Sequence, residues 1–105
     1  MENEAKKLEI KQKKEDGVLT CSLKGWLDPN TSPELLNAVS TADVNTIIFD
    51  MKNVEYVFSS GLRVFLQFQK IMNEKGGKIT LINLSDPIRS IFEYTGFEAI
   101  LEPKA

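Results

Sequence analysis

Two adjacent serines, Ser59 and Ser60, close the segment Val54-Glu55-Tyr56-Val57-Phe58-Ser59-Ser60-Gly61-Leu62, which leads into a stretch of helical periodicity. A hydroxyl at that junction has two chemical uses. It can cap the helix by accepting a hydrogen bond from the second or third helical amide. Exposed, it can instead take a phosphate, which would meet unpaired amides and the positive helix end or disrupt a docked partner by bulk and charge. The residues alone leave both uses open.

Other chemistry is sparse. The chain has no histidine, so it lacks the usual general base near neutral pH and the commonest metal ligand. Neither Gly-x-x-x-x-Gly-Lys-Ser/Thr nor Gly-x-Gly-x-x-Gly follows a strand pattern, which removes the familiar nucleotide cradles. Asp28 and Asp50 are the only carboxylates at loop or strand ends that could converge on Mg²⁺ or a nucleotide. Each has a simpler use: Asp28 before Pro29 organises a turn, and Asp50 ends or solvates a strand. The lone Cys21 cannot form an internal disulfide, and its strand-like neighbours make it a small core side chain. The expectation is a protein that is not an enzyme, with no catalytic residue, no metal and no cofactor.

The elements that must position the serines emerge from periodicity. Leu8 to Lys13 and Val18 to Lys24 alternate apolar and polar residues across the turn signal Asp16-Gly17, which predicts an antiparallel hairpin. Gly25 to Asn30 reads as a loop, and Ser32-Pro33 as an N-cap followed by the first residue of a short helix with Leu35, Leu36 and Val39 on its apolar stripe. Thr46 to Met51 contains Ile47-Ile48-Phe49, apolar on both faces, which predicts a central parallel strand with helices above and below. From Gly61, Val64, Phe65, Phe68, Ile71 and Met72 recur at helical spacing opposite Arg63, Gln67, Lys70 and Glu74, until Gly76-Gly77 stops the helix. Leu62 and Leu66 either widen that stripe or join Arg63 on a partner-facing strip. A strand over Lys78 to Asn83, a helix opened by Asp86-Pro87 and stopped near Gly96, and a last strand over Ala99 to Leu101 complete the series. The fold class is therefore α/β: a mixed β-sheet, begun by the N-terminal hairpin and continued by alternating helices and strands, with helices packed against it.

Size and charge set the bounds. The 105 residues are 42% hydrophobic and carry a formal net charge of −2, which fits one domain over residues 1–105 and argues against a surface that neutralises many phosphates. Nucleic acid is not an expected partner. Met1 to Lys7 alternates acidic and basic residues and reads as a flexible N-terminal extension, with neither a signal peptide nor a membrane span. The expected location is the cytoplasm.

Taken together, Gly25-Trp26-Leu27-Asp28 with Thr31 and Leu35, Phe49-Asp50-Met51 leading to Ser59-Ser60-Gly61-Leu62, Gly76-Gly77, and the run from Asp86 to Gly96 resemble a STAS domain of the bacterial anti-sigma factor antagonist branch. The resemblance spans about Leu8 to Leu101. It implies a STAS-like fold and a regulatory binding module that sequesters an anti-sigma factor of the serine kinase type and thereby frees a sigma factor. By position it makes Ser59 the phosphoacceptor and assigns Asp28, Thr31, Phe58, Ser59, Ser60, Gly61, Leu62 and Arg63 to the partner-binding surface. A weak homodimer is a further association left open, and no direct membrane insertion is implied. Phe58 stands where the family usually has Asp, and Arg63 where it often has a small residue. Those departures suit the alternative of a STAS-type accessory or scaffold subunit of a transporter or signalling complex, without a phosphorylation cycle, in which exposed Phe58 beside Arg63 serves as an anchor.

Overall fold

The Asp16-Gly17 dipeptide sets the first turn: both residues take positive φ, 52° and 81°, the left-handed pair that a two-residue hairpin matched to strand twist requires. The computed structural model, which describes residues 7–102, accordingly opens with β1 (Leu8–Glu15) paired antiparallel to β2 (Val18–Leu27). The chain continues through α1 (Ser32–Ala38), β3 (Thr46–Val57), α2 (Ser59–Glu74), β4 (Lys78–Ile82), α3 (Asp86–Tyr94) and a 3₁₀ turn (Glu98–Ile100). The sheet order is β1-β2-β3-β4, with β2, β3 and β4 parallel. The expected extension over residues 1–7 lies outside the described residues except for Lys7, whose carbonyl accepts from the Trp26 N–H at 3.1 Å.

Because consecutive parallel strands are neighbours, right-handed crossovers carry α1 and α2 to the same face of the sheet. Burial along β3 agrees: Ile47, Phe49 and Met51 are buried, while Ile48 and Asp50 between them are only half-buried. The expectation of helices above and below β3 is thus corrected. Ile48 points to the uncovered face, where its flanks are screened by its register partners Thr20 and Thr80.

On the covered face one cluster joins all the elements. Phe49 meets Phe65 edge-on at 5.0 Å and Phe68 at 5.3 Å, and Phe65 in turn meets Phe92 of α3 at 5.9 Å. The periodicity of α2 thereby does what its spacing predicts, setting Val64, Phe65, Phe68 and Met72 into the core and leaving Arg63, Gln67, Lys70 and Glu74 outside. Ile71 of the same stripe stays partly exposed, at the groove edge beside Leu36 and Gln67.

Several boundaries differ from the sequence reading. Gly25 to Leu27 belongs to β2, and β3 runs six residues beyond Met51 to Val57. The residue before each helix is Thr31, Phe58 and Ser85, so Ser32, Ser59 and Asp86 are already helical, and none of these starts has a side-chain cap bond. Residues expected as a last strand form the 3₁₀ turn, with Leu101 alone bridging to Leu81. No helix among the described residues is long and apolar enough to cross a membrane.

Candidate functional site

The carboxyl ends of β2 and β3 lie side by side, since Leu27 pairs with Val57. The segments that leave the two strands are therefore neighbours as well: the Asp28 to Thr31 loop after β2 and the Phe58-Ser59-Ser60 entry to α2 after β3. The Phe58 N–H donates to the Leu27 carbonyl at 2.8 Å, which fastens the second segment to the first.

The loop is an Asx turn closed on itself. Asp28 Oδ1 accepts from the backbone N–H groups of Asn30 and Thr31, both at 2.9 Å, and Thr31 Oγ1 lies 3.2 Å away. The Thr31 hydroxyl donates to the Trp26 carbonyl at 2.6 Å and accepts from the Asp28 N–H at 2.9 Å. These bonds to the ionised carboxylate, the Thr31 N–H first among them, hold Asp28 below the ordinary carboxylate range. Asp28 and Thr31 are buried, the latter 3% exposed, so they shape the loop from within.

Asp50 is elsewhere. It pairs with Ser22, six residues before Asp28, which sets the two carboxylates about 20 Å apart along the strand. Its Oδ1 accepts from the Lys52 N–H at 3.0 Å and the Asn83 side-chain amide at 3.1 Å. The convergence of Asp28 and Asp50 considered from sequence is overturned, and no group of three His, Cys, Asp or Glu gathers among the described residues.

The two serines divide. Ser59, the first residue of α2, is exposed; Ser60 is half-buried with its Oγ 3.4 Å from the Oγ of buried Ser32 in α1. Their expected capping role is not taken: the first α2 bonds come from the Gly61 and Leu62 N–H groups to the Phe58 carbonyl, at 2.9 and 3.1 Å, and no serine side chain caps. The first turn also contains no acidic residue. Its amides thus present an uncompensated positive end around Ser59.

Of the remaining residues assigned to the partner surface, Phe58 and Arg63 are exposed. Leu62, 7% exposed, belongs to the core, which corrects its assignment to a partner-facing strip in favour of the widened apolar stripe. Gly61 is buried because α2 starts against β2: a Cβ built there would come within 2.9 Å of the Leu27 Cβ.

Sequence reasoning missed Trp26 and Tyr56. Periodicity leaves Trp26 in the Gly25 to Asn30 loop and Tyr56 beyond the Thr46 to Met51 strand, yet as paired strand residues they stand together beside Phe58. Ring centroids lie 6.0 Å apart for Trp26 and Tyr56, 5.9 Å for Trp26 and Phe58, and 4.9 Å for Tyr56 and Phe58. The available signal was three aromatic residues flanking the two segments that the fold joins.

Comparison with known proteins identifies the family and the fold. The family model described as STAS domain matches residues 9–104. An anti-sigma F factor antagonist of Paenibacillus polymyxa is 30% identical over 98 residues, covering 90% of this chain and 84% of that protein. The unphosphorylated form of the anti-sigma factor antagonist SpoIIAA superposes with a TM-score of 0.81 at 22% identity, covering 92% of this chain and 89% of that one. SpoIIAA of Bacillus in its phosphorylated form gives 0.74 at 22% identity, covering 92% of each chain. The fold is the SpoIIAA-like one, a mixed four-stranded sheet with three α-helices.

Proposed function

Because this chain belongs to the STAS domain family, we propose that it is an anti-sigma factor antagonist: it binds an anti-sigma factor of the serine kinase type, releases the sigma factor that kinase holds, and is switched off by phosphate on Ser59. The curated relatives named as anti-sigma factor antagonists support the class. The observation that carries the switch is the exposed Ser59 hydroxyl at the uncapped start of α2, joined through Phe58 to the rigid loop at Asp28.

The chemistry asked of the chain is small. The Ser59 oxygen attacks the γ-phosphorus of ATP, the bond to ADP breaks, and the serine proton passes to the kinase, which supplies the Mg²⁺ and the base. The module acts by binding and contributes no catalytic group. The new dianion sits in the field of the α2 amides, which favours it locally, while its bulk and charge oppose a docked surface. Phe58 and Arg63 are the side chains that meet the partner, and Asp28, Thr31, Ser60, Gly61 and Leu62 hold the backbone that presents them.

Phe58 favours a second reading, a constitutive scaffold subunit, since no acidic group precedes Ser59 to orient its hydroxyl. One experiment separates the two. Incubation with an anti-sigma kinase and ATP, followed by mass spectrometry, is expected to give a singly phosphorylated peptide that Ser59→Ala abolishes, and the phosphorylated protein no longer co-elutes with the kinase. Co-elution without any phosphate under an active kinase selects the scaffold; no co-elution in either form overturns the proposal.

A further inference from the structure

The aromatic residues beside Ser59 are positioned by irregularities in the sheet. β2 and β3 run in step from Val18↔Thr46 to Ser22↔Asp50 and then slip twice. At the second slip Gly25 pairs with Val54 but Trp26 pairs with Tyr56, so Glu55 is an extra residue in β3. A bulge of this kind re-aims a side chain. Here it puts Glu55 within reach of the indole, whose Nε1–H donates to Glu55 Oε1 at 3.0 Å. Trp26 in turn braces Tyr56 and Phe58, which meet edge to face at 4.9 Å and 76° and keep 42% and 39% of their surface exposed. Rings already held in place lose little freedom on binding.

The chemistry of that patch selects its occupant. Aromatic faces carry negative π charge, and the adjacent carboxylate has acceptor positions beyond the one the indole uses. An apolar occupant would strip water from Glu55 and leave it unpaired. An anion would be repelled. A cation satisfies both groups, and a planar guanidinium does so better than an ammonium, because it stacks on the rings and presents a fork to the carboxylate. The geometry points to an arginine side chain of the partner protein, stacked on Tyr56 and Phe58 with its fork on Glu55. This seat rests on the binding reading above and names the group by which the partner is held.

Trp26 is the only tryptophan of the chain, so its emission reports on the patch. The probe is the peptide acetyl-Ala-Arg-Ala-amide, compared with its citrulline counterpart of the same shape without charge and with its lysine counterpart. The expected result is a saturable change in emission with the arginine peptide and a response at least about tenfold weaker with citrulline. Glu55→Gln and Phe58→Leu, checked for unchanged circular dichroism, each weaken the arginine peptide about three- to tenfold. Equal responses to arginine and citrulline, or to arginine and lysine, overturn the seat, as does an unaltered titration in Glu55→Gln. Binding of an anti-sigma kinase to wild type and Glu55→Gln, measured alongside, keeps the two proposals apart. Equal kinase affinity removes the seat and retains the antagonist; arginine-peptide binding by a chain that takes no such kinase retains the seat and removes the antagonist.

Discussion

The hydroxyls of Ser32 and Ser60 meet at 3.4 Å, tying the first turn of α1 to the first turn of α2. Ser60 is thus engaged inside the molecule while its neighbour Ser59 faces outward. Ser60→Ala is expected to keep the phosphorylated peptide that Ser59→Ala loses, and to cost about 1 kcal/mol of stability through the lost bond. Mass spectrometry of kinase-treated variants and urea unfolding check both halves.

Gly61 marks where α2 presses on the sheet. A Cβ there would lie 2.9 Å from the Leu27 Cβ, where something must shift, and 3.0 Å from Val57 Cγ1, which would have to give by a few tenths of an ångström. Gly61→Ala gains helix propensity, yet the overpacking dominates, with an expected loss of about 1–3 kcal/mol. Since the shift would move the start of α2, kinase binding should fall more than in Gly76→Ala, where the strain of a side chain at φ 78° falls at the far end of the helix and nothing lies within 4 Å. Chemical denaturation and calorimetry of the two variants test this.

The Asp28 loop should respond to acid. Its folded-state pKa lies below that of the unfolded chain, so between the two values the unfolded state binds more protons and stability declines as pH falls through that window. Above about pH 5, about one unit over the unfolded value, the contribution is fully present. Asp28→Ala is expected to cost about 2–3 kcal/mol at neutral pH, Asp28→Asn less, and both differences from wild type should narrow on acidification as the charge-dependent part is lost. Melting curves at several pH values below neutrality read it out.

Burial acts on Cys21 in the opposite direction, raising its thiol to about 12. The native protein is expected to resist a thiol reagent at pH 8, where the unfolded chain reacts within minutes, because the thiolate is the nucleophile. Between about 8.5, the unfolded value, and the folded one, the native state holds one proton more, so stability falls as pH rises across that interval. Labelling with and without denaturant decides it.

Much of this architecture was readable because local and global preferences agree. Asp16-Gly17 called for a tight hairpin and made one; the Val64, Phe65, Phe68, Met72 spacing called for one buried helix face and made one. The end of β3 escaped because its slips against β2 change the period: buried residues fall at Ile47, Phe49 and Met51, two apart, then at Val54 and Val57, three apart. A search for alternation stops at Met51, and Tyr56 and Glu55 go with the loop that search leaves behind. Ile48 misled for another reason, since an apolar residue on an uncovered face has the same letter as one in a core. The junction points to the serine pair and the family resemblance to Ser59 within it, whereas the separate engagement of Ser60 depends on α1, which no local pattern places beside it.

The hairpin at one edge of the sheet also bears on how sheets of two molecules can meet. Among the described residues β1 pairs only with β2, and five of its eight residues, Glu9, Lys11, Lys13, Lys14 and Glu15, are charged. A rim so crowded with ammonium and carboxylate groups makes a poor template for another strand, since annealing would strip their hydration. Concentrated solutions of this protein should therefore resist fibril growth from that side.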